Sequence, residues 1–290
     1  MKHFVSLIAL LLFLPQIIMA APSANTNPGN AVIKDGILTI TQNSYKLSFI
    51  KKSSWTIQEM YFDDKLLLSP TGAFGTVANL KGTGWHGTGH GNETVEKANL
   101  DVDGKTYDLQ DGLDVRGNKF VLFKQSVIGP YRQFDTITFD GARIVEDFHY
   151  EIISDDSGVN FIYAFMHCFT NKTDQWMAQL KDESIEEGKF LDNNSFTLKK
   201  DIRWAAVYDS SETMGLVYVY PETYQGKAPF NNSFWNRPRD NKLYLRPELP
   251  TGIGQKFNFK VTLQAFSAAP ENWQSDAKKL ITNIEQTPSP

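Results

Sequence analysis

Two histidines stand four positions apart in a glycine-rich stretch, Gly82–Glu96, which reads GTGWHGTGHGNETVE. Trp85 precedes the first histidine, His86, and Glu93 follows the second, His90. Imidazole rings transfer protons near neutral pH or bind metal ions, and an indole ring offers a flat face on which a sugar can stack. Glycine permits positive φ angles and a close approach of ligand to backbone. The stretch predicts a functional loop, and the alternative is a glycine-rich hairpin with histidines at the surface.

The other two histidines of the chain after its leader, His149 and His167, lie in the predicted strands Ala142–Ile153 and Val159–Phe169. Between them, Asp155–Gly158 suits a three-residue hairpin loop. That register buries the even positions of both strands. The odd positions would share one open face, which carries Asp147, His149, Glu151, Tyr163, Phe165 and His167. The pattern predicts a polar, chemically active face, and the alternative is a pair of ordinary hydrogen-bonded surface histidines.

Two further segments combine aromatic and cationic side chains. Tyr131 and Arg132 follow Ile128-Gly129-Pro130, where a tyrosine can act as an acid or base and an arginine can hold a carboxylate. The segment 231–240, NNSFWNRPRD, brings Trp235 together with Arg237 and Arg239 in a predicted loop. Aromatic faces stack on sugars and arginines bind acidic groups. The alternative for Tyr131 and Arg132 is a turn with a solvated arginine. The alternative for the segment 231–240 is a tryptophan that anchors its own loop.

Several other chemistries lack a pattern in this sequence. The His86-x3-His90 spacing suits a metal only on a helix, which the surrounding glycines disfavour, so no metal is predicted. No Gly-x-Ser-x-Gly motif, phosphate-binding loop or dinucleotide fingerprint occurs, and Cys168 falls on the core side of its strand. We therefore expect no cofactor.

Strands must position these residues, because short runs rich in β-branched and aromatic residues alternate with turns along the chain. The pattern predicts about a dozen or more strands and one helix, Asn272–Ile284. Cys168 is the only cysteine, so stability must come from a hydrophobic core rather than an intrachain disulfide. We expect an all-β fold, a large antiparallel β-sandwich with few helices, formed by one domain over residues 21–290.

The N-terminus has the layout of a secretory signal peptide. Met1-Lys2-His3 precedes the apolar run Phe4–Leu14, and small residues follow at Ala20 and Ala21. We therefore predict a signal peptide over residues 1–20 and a secreted or periplasmic protein. No later segment resembles a membrane span. The net charge of −4 indicates no general attraction to nucleic acid.

The strand-rich chain, the Trp-His-Gly-x-Gly-His-Gly stretch, the strands with Phe148-His149-Tyr150 and Phe165-Met166-His167, and the closing strand Lys256–Phe266 resemble the galactose mutarotase-like β-supersandwich group. That group includes aldose 1-epimerases and domains of several polysaccharide lyases and glycoside hydrolases. Mutarotases use a histidine acid and a glutamate base on the concave sheet. The resemblance implies His167 for the acid and either Glu93 or Glu248 for the base.

The leading hypothesis is a secreted polysaccharide lyase that cleaves uronic-acid glycans by β-elimination. The alternatives are an aldose epimerase-like enzyme and a non-catalytic carbohydrate-binding domain. We predict that the four histidines surround one concave site, with His90, His167, Tyr131 and His86 as catalytic residues. The predicted substrate-binding residues are Trp85, Glu93, Arg132, His149, Tyr163, Trp235, Arg237 and Arg239.

Overall fold

The computed structural model of the protein describes residues 27–70, 75–227, 232–237 and 239–287. The predicted signal peptide, residues 1–20, lies outside the described residues, and so do residues 71–74 and two positions, 231 and 238, of the predicted 231–240 loop. Within the described ranges, no helix is both long and apolar enough to cross a membrane.

Twenty-three strands and one α-helix make up the described fold. The strands are β1 Gly29–Lys34, β2 Ile37–Gln42, β3 Tyr45–Ile50, β4 Thr56–Phe62, β5 Lys65–Leu68, β6 Val77–Leu80, β7 Gly84–Gly87, β8 Glu93–Val102, β9 Lys105–Asp108, β10 Asp114–Gly117, β11 Phe120–Ile128, β12 Tyr131–Phe139, β13 Ile144–Ile152, β14 Val159–Tyr163, β15 Phe165–Cys168, β16 Gln175–Leu180, β17 Ile185–Lys189, β18 Phe196–Lys199, β19 Ile202–Asp209, β20 Met214–Val219, β21 Asn232–Trp235, β22 Lys242–Leu245 and β23 Lys256–Ser267. A short 3-10 helix, Lys51–Ser53, follows β3, and helix α1 spans Trp273–Gln286.

One ten-stranded sheet forms the first layer, in the order β17-β16-β19-β20-β23-β13-β12-β11-β8-β9. Three smaller sheets face it. They are six-stranded (β10-β1-β2-β3-β4-β5), three-stranded (β14-β6-β7) and four-stranded (β15-β22-β21-β18). Neighbouring strands run antiparallel, as in the pairs β11 with β12 and β13 with β23. The predicted all-β antiparallel sandwich is confirmed.

Buried aromatic side chains join the two layers. Tyr45, on β3, donates a hydrogen bond from its hydroxyl to the carbonyl of Ala142 and accepts one from the backbone N–H of Ala265 in the large sheet. Phe165, on β15, packs against Phe148, on β13, with ring centroids 4.9 Å apart. All four sheets therefore share one hydrophobic core. Burial of such large rings contributes about 1.5–3 kcal/mol each to folding.

Helix α1 covers the opposite face of the large sheet. Its buried side chains, Trp273, Ala277, Ile281 and Ile284, recur at helical spacing and form one apolar stripe. The indole of Trp273 stacks on the ring of Tyr208, with centroids 5.2 Å apart. The predicted helix over Asn272–Ile284 is confirmed within two residues at each end.

The predicted hairpin between Ala142–Ile153 and Val159–Phe169 is wrong. Strand β13 pairs with β12 and β23, whereas β14 pairs with β6 and β15 with β22 in the opposite layer. The chain crosses between layers after β13, so the two segments share no register. The even positions of β13 are buried as predicted. In the second segment both faces are buried from Ile162 to Phe169, which leaves period-two alternation without a preferred side there.

Part of the glycine-rich stretch forms a strand instead of the predicted loop. Gly84–Gly87 is strand β7, which pairs with β6 and places Trp85 opposite Asn79. Gly87 has a φ of +107°, and a Cβ there would lie 2.5 Å from the carbonyl oxygen of Thr76. Only glycine fits so close to a neighbouring backbone. The tight turn Thr88–Gly91 is closed by a bridge between Gly87 and Gly91.

Candidate functional site

A cavity of about 330 Å³ lies between the three-stranded and four-stranded sheets. We call it the aromatic pocket, and its lining residues are Val77, Trp85, His90, Phe161, Tyr163, Met166, Phe196, Trp235, Arg237, Lys242, Tyr244 and Arg246. Its volume is at the lower end of the range for small-molecule sites, roughly 300–1,000 Å³. The pocket is therefore suited to one sugar unit rather than to a long stretch of polymer.

Five aromatic rings form a nearly continuous strip along this pocket. Trp85 stacks on Tyr163 with centroids 5.8 Å apart and planes within 16°. Tyr163 stacks on Tyr244 at 4.4 Å. The strip continues from Tyr244 to Trp235 at 5.8 Å and from Trp235 to Phe196 at 5.2 Å. Trp85 remains 41% exposed, so an indole face is available for a sugar ring.

The pocket is also cationic. Three of its lining side chains are Arg237, Lys242 and Arg246, and no carboxylate lines it among the described residues. Behind the wall, the fully buried Asp240 pairs with Arg237 at 3.2 Å and with Lys242 at 3.7 Å. Three cations against one carboxylate leave an excess of positive charge, which favours an anionic ligand.

Arg246 lies among aromatic rings. Its guanidinium carbon is 4.1 Å from the centroid of the Phe161 ring, a cation–π contact. Burial lowers the pKa of Arg246, and the nearby Tyr163 opposes that change. Burial also raises the pKa of Tyr163, against the positive charge of Arg246. An arginine stays charged despite such a shift, so the pocket holds a partly desolvated cation.

His90 lies at the mouth of the pocket with its ring 5.8 Å from that of Trp85. Its Nδ1 is 3.0 Å from the carbonyl oxygen of Thr88. Because a carbonyl oxygen only accepts, Nδ1 carries the hydrogen and Nε2 keeps its lone pair in the neutral ring. The turn thus orients His90 as a base.

Five of the predicted site residues come together in the aromatic pocket, namely Trp85, His90, Tyr163, Trp235 and Arg237. Chain crossings bring them together, since they lie on β7, the following turn, β14, β21 and the segment after β21. Trp85 forms one wall of this pocket.

Four predicted residues lie elsewhere on the surface. His86 is next to Trp85 on β7, so its side chain points to the other side of the strand, where Nε2 bonds the hydroxyl of Thr83 at 2.9 Å. Arg132 and His149 lie on the outer face of the large sheet, paired with Glu96 and Asp147 respectively. Arg239 lines a different cavity.

The remaining predicted residues are buried, so the prediction of four histidines around one open site is wrong. His167 has no exposed surface, and its Nε2 is 3.1 Å from the carboxylate of Glu146 on the inner face of β13. Tyr131 is 2% exposed, and burial raises the pKa of its hydroxyl. The wrong hairpin prediction explains why His167 was expected on an open face. Strand β15 belongs to the opposite layer and directs His167 into the core.

Glu93 belongs to a buried ionic network on the inner face of the large sheet. Lys124 Nζ lies 2.7 Å from Glu93 and 2.9 Å from Asp135, and all three side chains are at most 3% exposed. The hydroxyl of Ser126 donates a further hydrogen bond to Glu93. Burial lowers the pKa of Lys124, but the two carboxylates outweigh burial and raise it overall. Glu93 therefore stabilises the sandwich interior.

Asp135, the second carboxylate of this network, has a raised pKa. Burial raises the pKa of Asp135 to about 6, although Lys124 opposes the rise. An unfolded chain releases this proton near pH 4, so the group contributes most to the free energy of unfolding in acid. That contribution falls as the pH rises through about 6. We expect a carboxyl carbon resonance, lost in Asp135→Asn, to titrate near pH 6 in NMR spectra. A midpoint below pH 4 would contradict the prediction.

Sequence reasoning missed seven lining residues. Two are the apolar Val77 and Met166, and the other five are aromatic or cationic, namely Phe161, Phe196, Lys242, Tyr244 and Arg246. Three of them stand at alternate positions of the correctly predicted strand Lys242–Arg246. Alternate residues of a strand share a face, so this strand presents two cations around a tyrosine. Two cations around a tyrosine on one strand face are the sequence pattern that could have indicated this part of the site.

Comparison with known proteins shows similarity of fold only. No protein-family model and no curated protein matches the sequence. Among solved structures, the galactosidase domain of an α-galactosidase–sucrose kinase matches with a TM-score of 0.52 and 8% identity over 82% of this chain and 42% of that one. The chain thus spans less than half of that protein.

Two smaller proteins also match. A putative aldose 1-epimerase from Escherichia coli K12 has a TM-score of 0.40 and 8% identity over 83% of this chain and all of its own. A galactose mutarotase related enzyme from Lactobacillus acidophilus has a TM-score of 0.42 and 11% identity over 81% of this chain and 98% of that one. The solved structures that match therefore include proteins of the galactose mutarotase-like group that the sequence resembles, and at such identities the likeness concerns the fold alone.

Proposed function

We propose that this protein is a carbohydrate-active enzyme that binds an acidic sugar in the aromatic pocket. The observation that carries the proposal is the combination of an aromatic strip with Arg237, Lys242 and Arg246 around one cavity of about 330 Å³. Aromatic faces bind the apolar side of a sugar ring, and guanidinium groups bind carboxylates with paired hydrogen bonds. A neutral sugar has no negative charge to attract these cations.

The proposed reaction is β-elimination at a uronic acid unit. Arg246 neutralises the carboxylate and so stabilises the negative charge that develops when the C5 proton leaves. Nε2 of His90 accepts that proton, the bond from C4 to the glycosidic oxygen breaks, and a double bond forms between C4 and C5. The protonated His90 then returns the proton to the leaving oxygen. Every proton is accounted for without a cofactor.

The epimerase alternative fits this pocket less well. The resemblance implies a glutamate base beside a histidine acid for mutarotation, and no carboxylate lines the aromatic pocket among the described residues. The implied partners lie apart from it. His167 is buried against Glu146, Glu93 is held by Lys124, and Glu248 is exposed beside Gln225.

Affinity tests the charge of the ligand. We expect Arg246→Gln to weaken the binding of an acidic disaccharide about tenfold to a hundredfold, because hydrogen bonds to charged groups contribute about 1.5–3 kcal/mol. Binding of the acidic disaccharide to the unchanged protein should also weaken as salt is added, because ions screen the attraction. Calorimetric titration with matched acidic and neutral disaccharides measures both effects.

Arg132→Gln is the matched control for that variant. It removes the same charge from the outer face of the large sheet, away from the pocket, and should leave affinity unchanged. Equal binding of acidic and neutral sugars, insensitive to salt, would refute the acidic ligand. Ultraviolet absorbance reports the unsaturated product of elimination. Tight binding of acidic glycans with no such product would refute the lyase reaction and favour a binding domain.

A further inference from the structure

Two further cavities lie next to the aromatic pocket, and each shares one lining residue with the cavity before it. Arg237 also lines a cavity of about 210 Å³, which we call the middle cavity. Asn171 lines the middle cavity and a third one of about 690 Å³, which we call the far cavity. Arg237 adjoins the first two cavities and Asn171 the last two, so the middle cavity lies between the aromatic pocket and the far cavity.

The sign of the charge changes along this row of cavities. The aromatic pocket has three cations and no carboxylate in its described lining. The middle cavity has one cation, Arg237, and two carboxylates, Asp174 and Asp192. The far cavity has three cations and two carboxylates, and these residues are Lys65, Lys172, Arg239, Asp64 and Glu212. The row is therefore positive, then negative, then positive.

The middle cavity has the chemistry of a neutral sugar subsite. Leu191 is 55% exposed there and offers an apolar surface to a sugar ring. Asn171 and Asp192 are exposed beside it and can bond to hydroxyl groups. An acidic sugar at this place would face the carboxylate of Asp192, and like charges repel.

We propose that the three cavities form one groove for a polysaccharide in which acidic and neutral sugar units alternate. The proposal rests on the proposed function and extends it from one sugar unit to a substrate class. One acidic unit occupies the aromatic pocket, a neutral unit lies over Asp192, and the next acidic unit lies beside Arg239. Each acidic unit then meets a positive surface, and the neutral unit avoids the repulsion that a carboxylate would meet at Asp192.

Two series of oligosaccharides test the charge pattern by calorimetry. One alternates uronic acid with neutral N-acetylhexosamine, and the other contains uronic acid alone. We expect the alternating hexasaccharide to bind more tightly than both its disaccharide and the uniform hexasaccharide. If the two hexasaccharides bind equally, or length has no effect, the groove proposal fails. If the acidic disaccharide does not bind, or ignores Arg246→Gln, the proposed function itself fails.

Two surface variants sharpen the test without disturbing the core. Asp192→Asn should raise the affinity for the uniform hexasaccharide by up to about fivefold, because the interaction of two exposed charges is weak. It should leave the alternating hexasaccharide unchanged. Arg239→Gln should weaken both hexasaccharides by a similar factor and spare the disaccharide, while the control Arg132→Gln should change neither. No gain in Asp192→Asn would overturn the neutral middle subsite.

Discussion

His90→Ala should reduce turnover of an acidic glycan roughly a hundredfold to ten-thousandfold, the usual contribution of a general acid or base. The Michaelis constant should change little, because Arg237, Lys242 and Arg246 still hold the carboxylate in the pocket. Thermal stability should also be retained, since His90 is an exposed turn residue whose ring bonds only the neighbouring Thr88 carbonyl among the described contacts. Initial rates from ultraviolet absorbance and a thermal melt measure both.

His86→Ala provides the matched control for this prediction. The same ring is removed four residues earlier, from the opposite side of strand β7, where it bonds Thr83. Activity should remain near that of the unchanged protein. The assignment of His90 as the base does not survive if both variants lose activity equally, or if His90→Ala remains fully active.

Lys124→Met should lower the free energy of unfolding by about 3–5 kcal/mol, the usual effect of breaking a buried ion pair on one side. Methionine matches the length of lysine but removes the positive charge, so Glu93 and Asp135 would be buried together without a cation. Both carboxylates are at most 3% exposed and cannot recover their hydration in the folded state. Urea unfolding followed by fluorescence measures the change.

Two comparison variants separate the effect of the lost lysine charge from other effects of the substitution. Lys97→Met makes the same substitution at an exposed position of the neighbouring strand β8 and should cost little. The triple variant Lys124→Met, Glu93→Gln, Asp135→Asn removes all three charges and should recover part of the lost stability. A loss in Lys124→Met no larger than in Lys97→Met would show that the network is not needed for stability.

The sequence identified those pocket residues whose chemistry is recognisable within one short segment, and it missed residues whose role depends on neighbours from another sheet. Aromatic and cationic residues in short segments identified Trp85, His90, Trp235 and Arg237, because their chemistry is visible residue by residue. Arg246 was missed although its strand was correctly predicted. Its importance depends on Phe161 and Tyr163, which reach it from another sheet.

Local patterns in the sequence determined the strand-rich class, the position of helix α1 and the buried side of β13. Each of these follows from the spacing of apolar residues over a short segment. Only the tertiary structure decided which strands pair, and so which face His167 occupies and where the pocket lies. Strand pairing is a competition among distant segments for one core, and residue alternation cannot resolve it where a strand is buried on both faces.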